Sequence, residues 1–137
     1  MANFEGYLLK AGNKKFPNKY IQWGSYSSTP NQREEIKAFR NDNTRDLIRK
    51  TAQGTKTSIV FTTKSRLSLS EKKEIQEFFT DHESNALERK ITLTYWNDEE
   101  NRYKEGSFYR PDITFVIRSI TNNNIYYQGF DIELIEY

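Results

Sequence analysis

The chain has 137 residues, with 21 basic and 19 acidic side chains and a net charge of +2. This length suits one domain, and the near-balance of charge lacks the basic excess that is typical of nucleic-acid-binding proteins. The absence of cysteine excludes disulfides, thiolate chemistry and Cys-type zinc sites. Only 35% of the residues are hydrophobic but 15% are aromatic, so a core must be built from a few large rings.

The first third of the chain predicts two strands before a polar segment. A strand and a turn are expected where Phe4–Ala11 is followed by Gly12-Asn13. The opening MANFEGYLLKAG has no basic region followed by a long apolar run, so we expect neither a signal peptide nor a membrane span. A second strand is predicted over Lys19–Ser27, and Ser28-Thr29-Pro30-Asn31 is expected to end it.

The segment from Arg33 to Thr63 predicts a long hairpin, protruding over about residues 33–56. Its two arms are almost entirely polar near the turn Asn41-Asp42-Asn43-Thr44. A helix is disfavoured because these turn residues lie in its middle and no apolar stripe runs through it. Gly54 is expected to mark a bulge or a bend, after which Thr57–Thr63 is apolar enough to be a buried strand. A two-stranded ribbon this polar is marginal alone, so another surface is expected to order it.

One helix is predicted, over about residues 70–81. Ser68 and Glu71 have the spacing of a capping box at its start, with Ser70 as a second N-cap candidate. Ile75, Phe78 and Phe79 form an apolar stripe that His82 extends by one turn.

The remaining chain reads as strands joined by polar turns. Arg89–Trp96 alternates apolar and polar residues, as does Ile113–Ile120 through Ile113, Phe115 and Ile117. Two further strands are predicted over Tyr103–Arg110 and Ile125–Tyr137, the second with a bulge at Gly129. The prediction is a mainly β, α+β fold: one domain over 1–137, an antiparallel β-sandwich or open barrel with one flanking helix.

The candidate catalytic and metal-binding residues each have a simpler interpretation. His82 is the only histidine and suits the C-terminal end of a helix. Asp98, Glu99 and Glu100 could bind a hard cation but are more typical of a solvated hairpin tip. Gly54-Thr55-Lys56-Thr57 resembles the end of a phosphate loop but lacks the upstream glycine and a following helix. The sequence therefore predicts no enzyme, no cofactor and no metal site.

Nucleic-acid binding is the main alternative to a role in assembly. Five basic residues make the hairpin positive, but acidic residues alternate with them, which suits contacts across a subunit boundary better. These residues are Arg40, Arg45, Arg49, Lys50 and Lys56. A barrel that binds single-stranded nucleic acid could use aromatic side chains as stacking platforms. The candidates are Trp96, Tyr103, Tyr109, Tyr126 and Tyr127.

The order of elements resembles the fold of tail-tube and baseplate-ring proteins of tailed bacteriophages. Those are β-sandwiches with one flanking helix and a long hairpin that reaches the next subunit. MANFEGYLLKAG, the Arg40-Asn41-Asp42 turn and Tyr127–Tyr137 are also similar to small phage and prophage proteins of Firmicutes, often encoded among tail genes.

The resemblance implies a non-enzymatic structural subunit of a bacteriophage or phage-like tail. It implies a homo-oligomeric ring around a channel, expected to be sixfold, at the tube, distal-tail or baseplate level, in contact with neighbouring tail proteins. The protein would be assembled in the bacterial cytoplasm and end in the virion tail, without membrane or specific nucleic-acid binding. A head-tail connector is an alternative. The hairpin tip would lie at the subunit interface, through Arg40, Asn41, Asp42, Asn43, Thr44, Arg45 and Asp46.

Overall fold

The computed structural model describes residues 4–32, 35–40, 47–51, 56–85 and 87–137, and the side chains of all but 35–40 and 47–51. Thirteen strands and one α-helix are assigned within these ranges. The strands are β1 (Leu9–Ala11), β2 (Lys14–Lys15), β3 (Ser27–Gln32), β4 (Glu35–Arg40), β5 (Leu47–Thr51), β6 (Lys56–Thr62), β7 (Leu67–Ser68), β8 (Glu83–Asn85), β9 (Lys90–Asn97), β10 (Arg102–Tyr109), β11 (Ile117–Thr121), β12 (Asn124–Tyr127) and β13 (Asp131–Glu136). The helix α1 is Leu69–Thr80.

The strands form three antiparallel sheets in a sandwich-like arrangement, and those described do not close into a barrel. The large sheet has the order β2-β1-β9-β10-β13-β6-β3, with β8 also paired to β9. The small sheet has the order β11-β12-β7, and β4 and β5 form a two-stranded sheet. The predicted fold class, mainly β with one helix beside antiparallel strands, is confirmed.

The core lies on one face of the large sheet because its long strands alternate in the predicted way. Ile91, Leu93 and Tyr95 of β9 are buried, and so are Ile59 and Phe61 of β6. Alternation with a period of two places one side-chain set on the inner face and leaves the other in water. The predicted strands over 57–63 and 89–96 are therefore confirmed within a residue or two at each end.

The helix covers this core and begins where the capping box predicts. The Ser68 hydroxyl accepts a hydrogen bond from the Glu71 backbone N–H at 3.3 Å, and the Glu71 carboxylate accepts one from the Ser68 N–H at 3.1 Å. The stripe Ile75, Phe78 and Phe79 is buried. The ring of Phe78 packs edge-on against that of Phe79, with centroids 5.0 Å apart.

The predicted single strand over Ile125–Tyr137 is wrong, because two strands of different sheets occupy it. β12 belongs to the small sheet and β13 to the large one. Gly129 lies at the crossover between them rather than in a bulge. A Cβ there would lie 2.5 Å from the carbonyl oxygen of Thr63, so the close approach of two backbones requires glycine.

The segment Lys19–Asn31 also differs from its prediction. Asn18–Tyr20 is a short 3-10 turn, and Gly24 has a φ of +90°, so the predicted strand over Lys19–Ser27 is wrong. The predicted break at Ser28–Asn31 is wrong as well, since β3 covers it. β3 tolerates Pro30 because it is an edge strand and its register shifts between Thr29 and Gln32.

The predicted strand over Ile113–Ile120 starts later than expected. β11 begins at Ile117, and the side chains of Phe115 and Ile117 are exposed rather than alternately buried. Val116 and Ile117 are adjacent apolar residues and the register shifts between Ile117 and Ser119, so the simple alternation expected over this segment is broken.

Candidate assembly surface

The hairpin predicted from the sequence is present as the strand pair β4–β5. The two strands pair antiparallel, with Phe39 opposite Ile48 and Arg40 opposite Leu47. Within the described residues this ladder adds to neither of the other sheets. Of the predicted interface residues, Arg40 ends β4, and Asn41, Asp42, Asn43, Thr44, Arg45 and Asp46 lie outside the described residues, as do Gly54 and Thr55.

The base of the hairpin is held by the large sheet. Along the chain, β3 precedes β4 and β6 follows β5. Gln32 of β3 pairs with Lys56 of β6, at the end of the sheet nearest the ribbon in sequence. The Gln32 side chain donates a hydrogen bond to the Ser58 hydroxyl at 2.9 Å. The ribbon thus departs from a fixed edge of the sandwich.

A polar network at this base surrounds Asn31, whose φ is +54°. The fully buried Asn97 donates a side-chain hydrogen bond to Asn31 at 3.2 Å, and Asn31 donates one to the Glu100 carboxylate at 3.2 Å. The backbone N–H of Asn31 donates to the Thr57 hydroxyl at 3.3 Å. These bonds fix the strand just before it enters the hairpin.

Glu100, one of the three acidic residues considered for a cation site, instead serves this network. Its carboxylate accepts hydrogen bonds from Lys104 at 2.7 Å and Arg102 at 2.9 Å. These two cations and Asn31 lower the pKa of Glu100 to about 2. The described residues contain no cluster of acids and histidines arranged for a metal ion.

The edge strand β11 of the small sheet exposes apolar side chains. Ile120 is 70% exposed and Ile117 54%, and Val116, which directly precedes the strand, is 55% exposed. Among the described strands β11 pairs only with β12, through a two-residue turn in which Asn122 and Asn123 both have positive φ. An open strand edge with exposed isoleucines is ready to pair with another chain.

The edges of the large sheet are protected in ways that β11 is not. β2 is two residues long and both are lysines, Lys14 and Lys15. β3 carries Pro30 and a shift of register. Charged residues, proline and irregular register are the devices that keep strand edges from pairing with other chains.

The aromatic residues considered as stacking platforms fall into separate contacts. Trp96 and Tyr103 pack edge-on, 5.0 Å between centroids, and Tyr109 packs against Tyr137 at 5.5 Å. Tyr126 lies under the Arg66 guanidinium at 4.1 Å, and Tyr127 lies 4.5 Å from the Lys72 amine.

His82 lies just after the helix. Its Nδ1 is 2.8 Å from the Phe78 carbonyl oxygen, which matches the interpretation as a residue at a helix C-terminal end.

The exposed residues of β11 were not singled out from the sequence. A signal was present in the sequence, since Val116, Ile117 and Ile120 interrupt the alternation of apolar and polar residues in this short segment. Adjacent apolar residues such as Val116 and Ile117 point to opposite faces of an extended segment, so one face of a sheet does not bury both. The exposure of Val116, Ile117 and Ile120 makes this segment a candidate contact surface.

No helix in the described ranges has the length and apolar character that a membrane crossing requires.

A comparison with curated proteins and one with solved structures each found no significant match. A family model, described as a family of unknown function (DUF6711), matches residues 1–137. The chain therefore belongs to this DUF6711 family.

Proposed function

We propose that the protein is a structural, non-enzymatic subunit that assembles with copies of itself into a ring, as part of a bacteriophage or phage-like tail. The observation that supports assembly is the unprotected apolar edge of β11, which contrasts with the protected edges β2 and β3 of the large sheet. The tail and the sixfold ring come from the resemblance of the element order to tail-tube and baseplate-ring proteins.

The first support is the state of β11. Burying one isoleucine side chain that was exposed stabilises a complex by about 1.5–3 kcal/mol. Ile117 and Ile120 together, with strand pairing along the edge, would therefore contribute part of the free energy of a contact that a ring repeats at every subunit.

The second support is the ribbon β4–β5. A two-stranded sheet is marginally stable in water, and within the described residues this one pairs with no third strand. A partner that adds to it, or packs on it, would stabilise it at the subunit boundary. The polar network around Asn31 and Glu100 keeps the base of the ribbon fixed on each protomer.

Charges placed on the β11 edge should test the edge contact directly. We expect Ile117→Lys with Ile120→Lys to abolish self-association, because each ammonium would have to be desolvated in the contact. Sedimentation velocity over a range of concentrations measures this, with negative-stain electron microscopy for rings. Trp23→Lys is the matched control, because Trp23 is 69% exposed but lies in a turn. A sedimentation profile of the double variant equal to that of the wild type would contradict the proposed contact.

The hairpin needs its own test. We expect deletion of Asn41–Thr44 to impair assembly while the core stays folded, because the strands that carry the core lie outside the deleted turn. Circular dichroism and thermal unfolding report the fold, and sedimentation reports assembly. If the deletion unfolds the protein, the hairpin belongs to the core and not to the contact.

The tail setting is tested by locating the protein in a particle. Cryo-electron microscopy of the native particle should place a ring of this chain around a channel, with residues 40–46 at the subunit boundary. A particle that contains the protein as an isolated monomer would contradict the ring.

A further inference from the structure

Two arginines lie at the open end of the β9–β10 hairpin, directly outside its last residue pair. Lys90 pairs with Tyr109 at the end of this ladder; Arg89 precedes Lys90 with a φ of +51°, and Arg110 follows Tyr109. Like charges that lie close together repel each other. Their placement therefore has an energetic cost unless an anion is shared or brought close.

Arg110 is the more enclosed of the two. Its side chain is half-buried, its Cζ lies 5.5 Å from the centroid of the buried Phe79 ring, and its Nε is shielded from solvent. This Nε–H has no hydrogen-bond partner among the described residues. Burial, and then the neighbouring Arg89 cation, lower the pKa of the Arg110 guanidinium.

The acidic groups nearby leave Arg110 without a close partner. Asp112 forms an ion pair with Arg89 at 3.0 Å, and the Asp112 side chain is 91% exposed. Glu83 is close enough to offset part of the lowering of the Arg110 pKa, but no ion pair within 4.0 Å joins it to either arginine within the part of the chain described. A half-buried guanidinium without a carboxylate in contact is costly, because its desolvation is not repaid.

Both arginines line an open cavity of about 520 Å³ between the end of α1 and the segment after β10. Gln76 and Thr80 of the helix form one wall, and Ile113 and Phe115 form an apolar one. Cavities that hold small ligands have volumes of roughly 300–1,000 Å³, with apolar walls and a few polar groups that fix orientation.

We propose that this cavity binds an organic carboxylate, held by the guanidinium of Arg110 with Arg89 as a second cation. The planar fork of a guanidinium matches a carboxylate in a two-point contact, and the apolar wall at Ile113 and Phe115 accepts the body of an organic acid. The carboxylate is either that of a free small-molecule acid or that of a side chain on a second copy of this chain. The site does not depend on the ring proposed above.

The test is a titration of ¹⁵N-labelled protein with sodium benzoate, sodium acetate and inorganic phosphate. The backbone amides of Thr80 and Asp112, on opposite walls, report binding by their chemical shifts. We expect saturable shifts with benzoate, weaker binding of acetate, which lacks an apolar body, and the weakest binding of phosphate. Arg110→Gln should weaken benzoate at least about tenfold, because a charge-assisted two-point contact is lost.

Two further variants separate the site from a general effect of charge. Arg102→Gln, which removes an exposed arginine of a different ion pair, should leave benzoate binding unchanged. Arg110→Lys keeps the charge but not the fork, so we expect it to bind benzoate about tenfold more weakly as well. This variant, with the wild-type titration, decides the question if Arg110→Gln fails to fold.

Spectra of the protein at several concentrations, without added acid, show whether the carboxylate comes from a second copy of the chain. If Thr80 shifts with protein concentration, and Arg110→Lys removes that dependence, the ligand is a carboxylate of a second copy. If the shifts appear only with added benzoate, the ligand is a free acid. Linear, non-saturating shifts, equal binding of phosphate and benzoate, or an equal loss in Arg102→Gln would each overturn the proposal.

Discussion

The two larger sheets of this protein use apolar residues in opposite ways. The large sheet buries Ile59, Phe61 and Leu93 beneath the helix and protects both its edges with lysines or proline. The small sheet ends in β11, where Ile117 and Ile120 face solvent. Stability is therefore carried mainly by the large sheet, whereas the contact that we propose with a partner lies on the small one, so changes in one sheet should leave the role of the other intact.

The largest expected effect is on the large sheet. Phe61→Ala removes a fully buried ring that packs against Phe16 at 5.4 Å and Tyr26 at 5.6 Å. We expect a loss of about 3–5 kcal/mol in the free energy of unfolding, from lost transfer energy and an unfilled cavity. Urea unfolding of dilute, monomeric protein measures it.

The matched variant in the small sheet is Ile120→Ala. It should change the free energy of unfolding of the monomer by no more than about 0.5 kcal/mol, because the side chain is already in water. Equal losses in the two variants would contradict the division between the sheets.

The crossover between the sheets gives the next effect. In Gly129→Ala the new Cβ would meet the backbone oxygens of Thr63 at 2.5 Å and Lys64 at 2.9 Å. Backbone cannot move aside as a side-chain end can, so we expect a loss of about 1–3 kcal/mol. Gly106→Ala is the control, since its closest neighbour is the flexible carboxylate of Glu136. A smaller loss of unfolding free energy in Gly129→Ala than in the control would show that the backbones at the crossover are not closely packed.

The smallest effect concerns the protected edge at β3. Glu100 holds Asn31 there, and its folded-state pKa of about 2 lies below its ordinary value of 4.5. Its contribution to stability is thus present above about pH 4.5 and is lost as the pH falls toward 2. We expect Glu100→Gln to lower Tm by a few degrees at most at pH 7, and to flatten the dependence of Tm on pH between these values. A curve parallel to that of the wild type would contradict the role of Glu100.

Local signals in the sequence predicted those elements that depend on local physics. The strand β9 was predicted from the alternation of Ile91, Leu93 and Tyr95, and the start of the helix from the capping box of Ser68 and Glu71. Each of these signals involves residues only a few positions apart in the sequence. Pro30 was misleading because its effect depends on whether the strand is at an edge, which only the strand order decides.

The candidate sites depend on contacts between distant parts of the chain and were harder to predict from the sequence. The hairpin was predicted from the polar arms, but the exposed face of β11 required knowing that nothing in the described chain covers Ile117 and Ile120. Arg89 and Arg110 lie directly outside the last pair of the β9–β10 ladder, and the cavity that both of them line also needs the end of the helix. Neither contact leaves a short motif in the sequence.

The position of β13 has a consequence for how the chain reaches its fold. It is the last strand along the sequence, yet it lies between β10 and β6 near the middle of the large sheet. During synthesis, the β3–β6 pair and the β9–β10 pair have no common neighbour until residues 131–136 leave the ribosome. Pairing that joins distant parts of a chain is slow because loop entropy is lost before contacts form. Until then, the edges of β6 and β10 that β13 later covers remain unpaired and open to other chains.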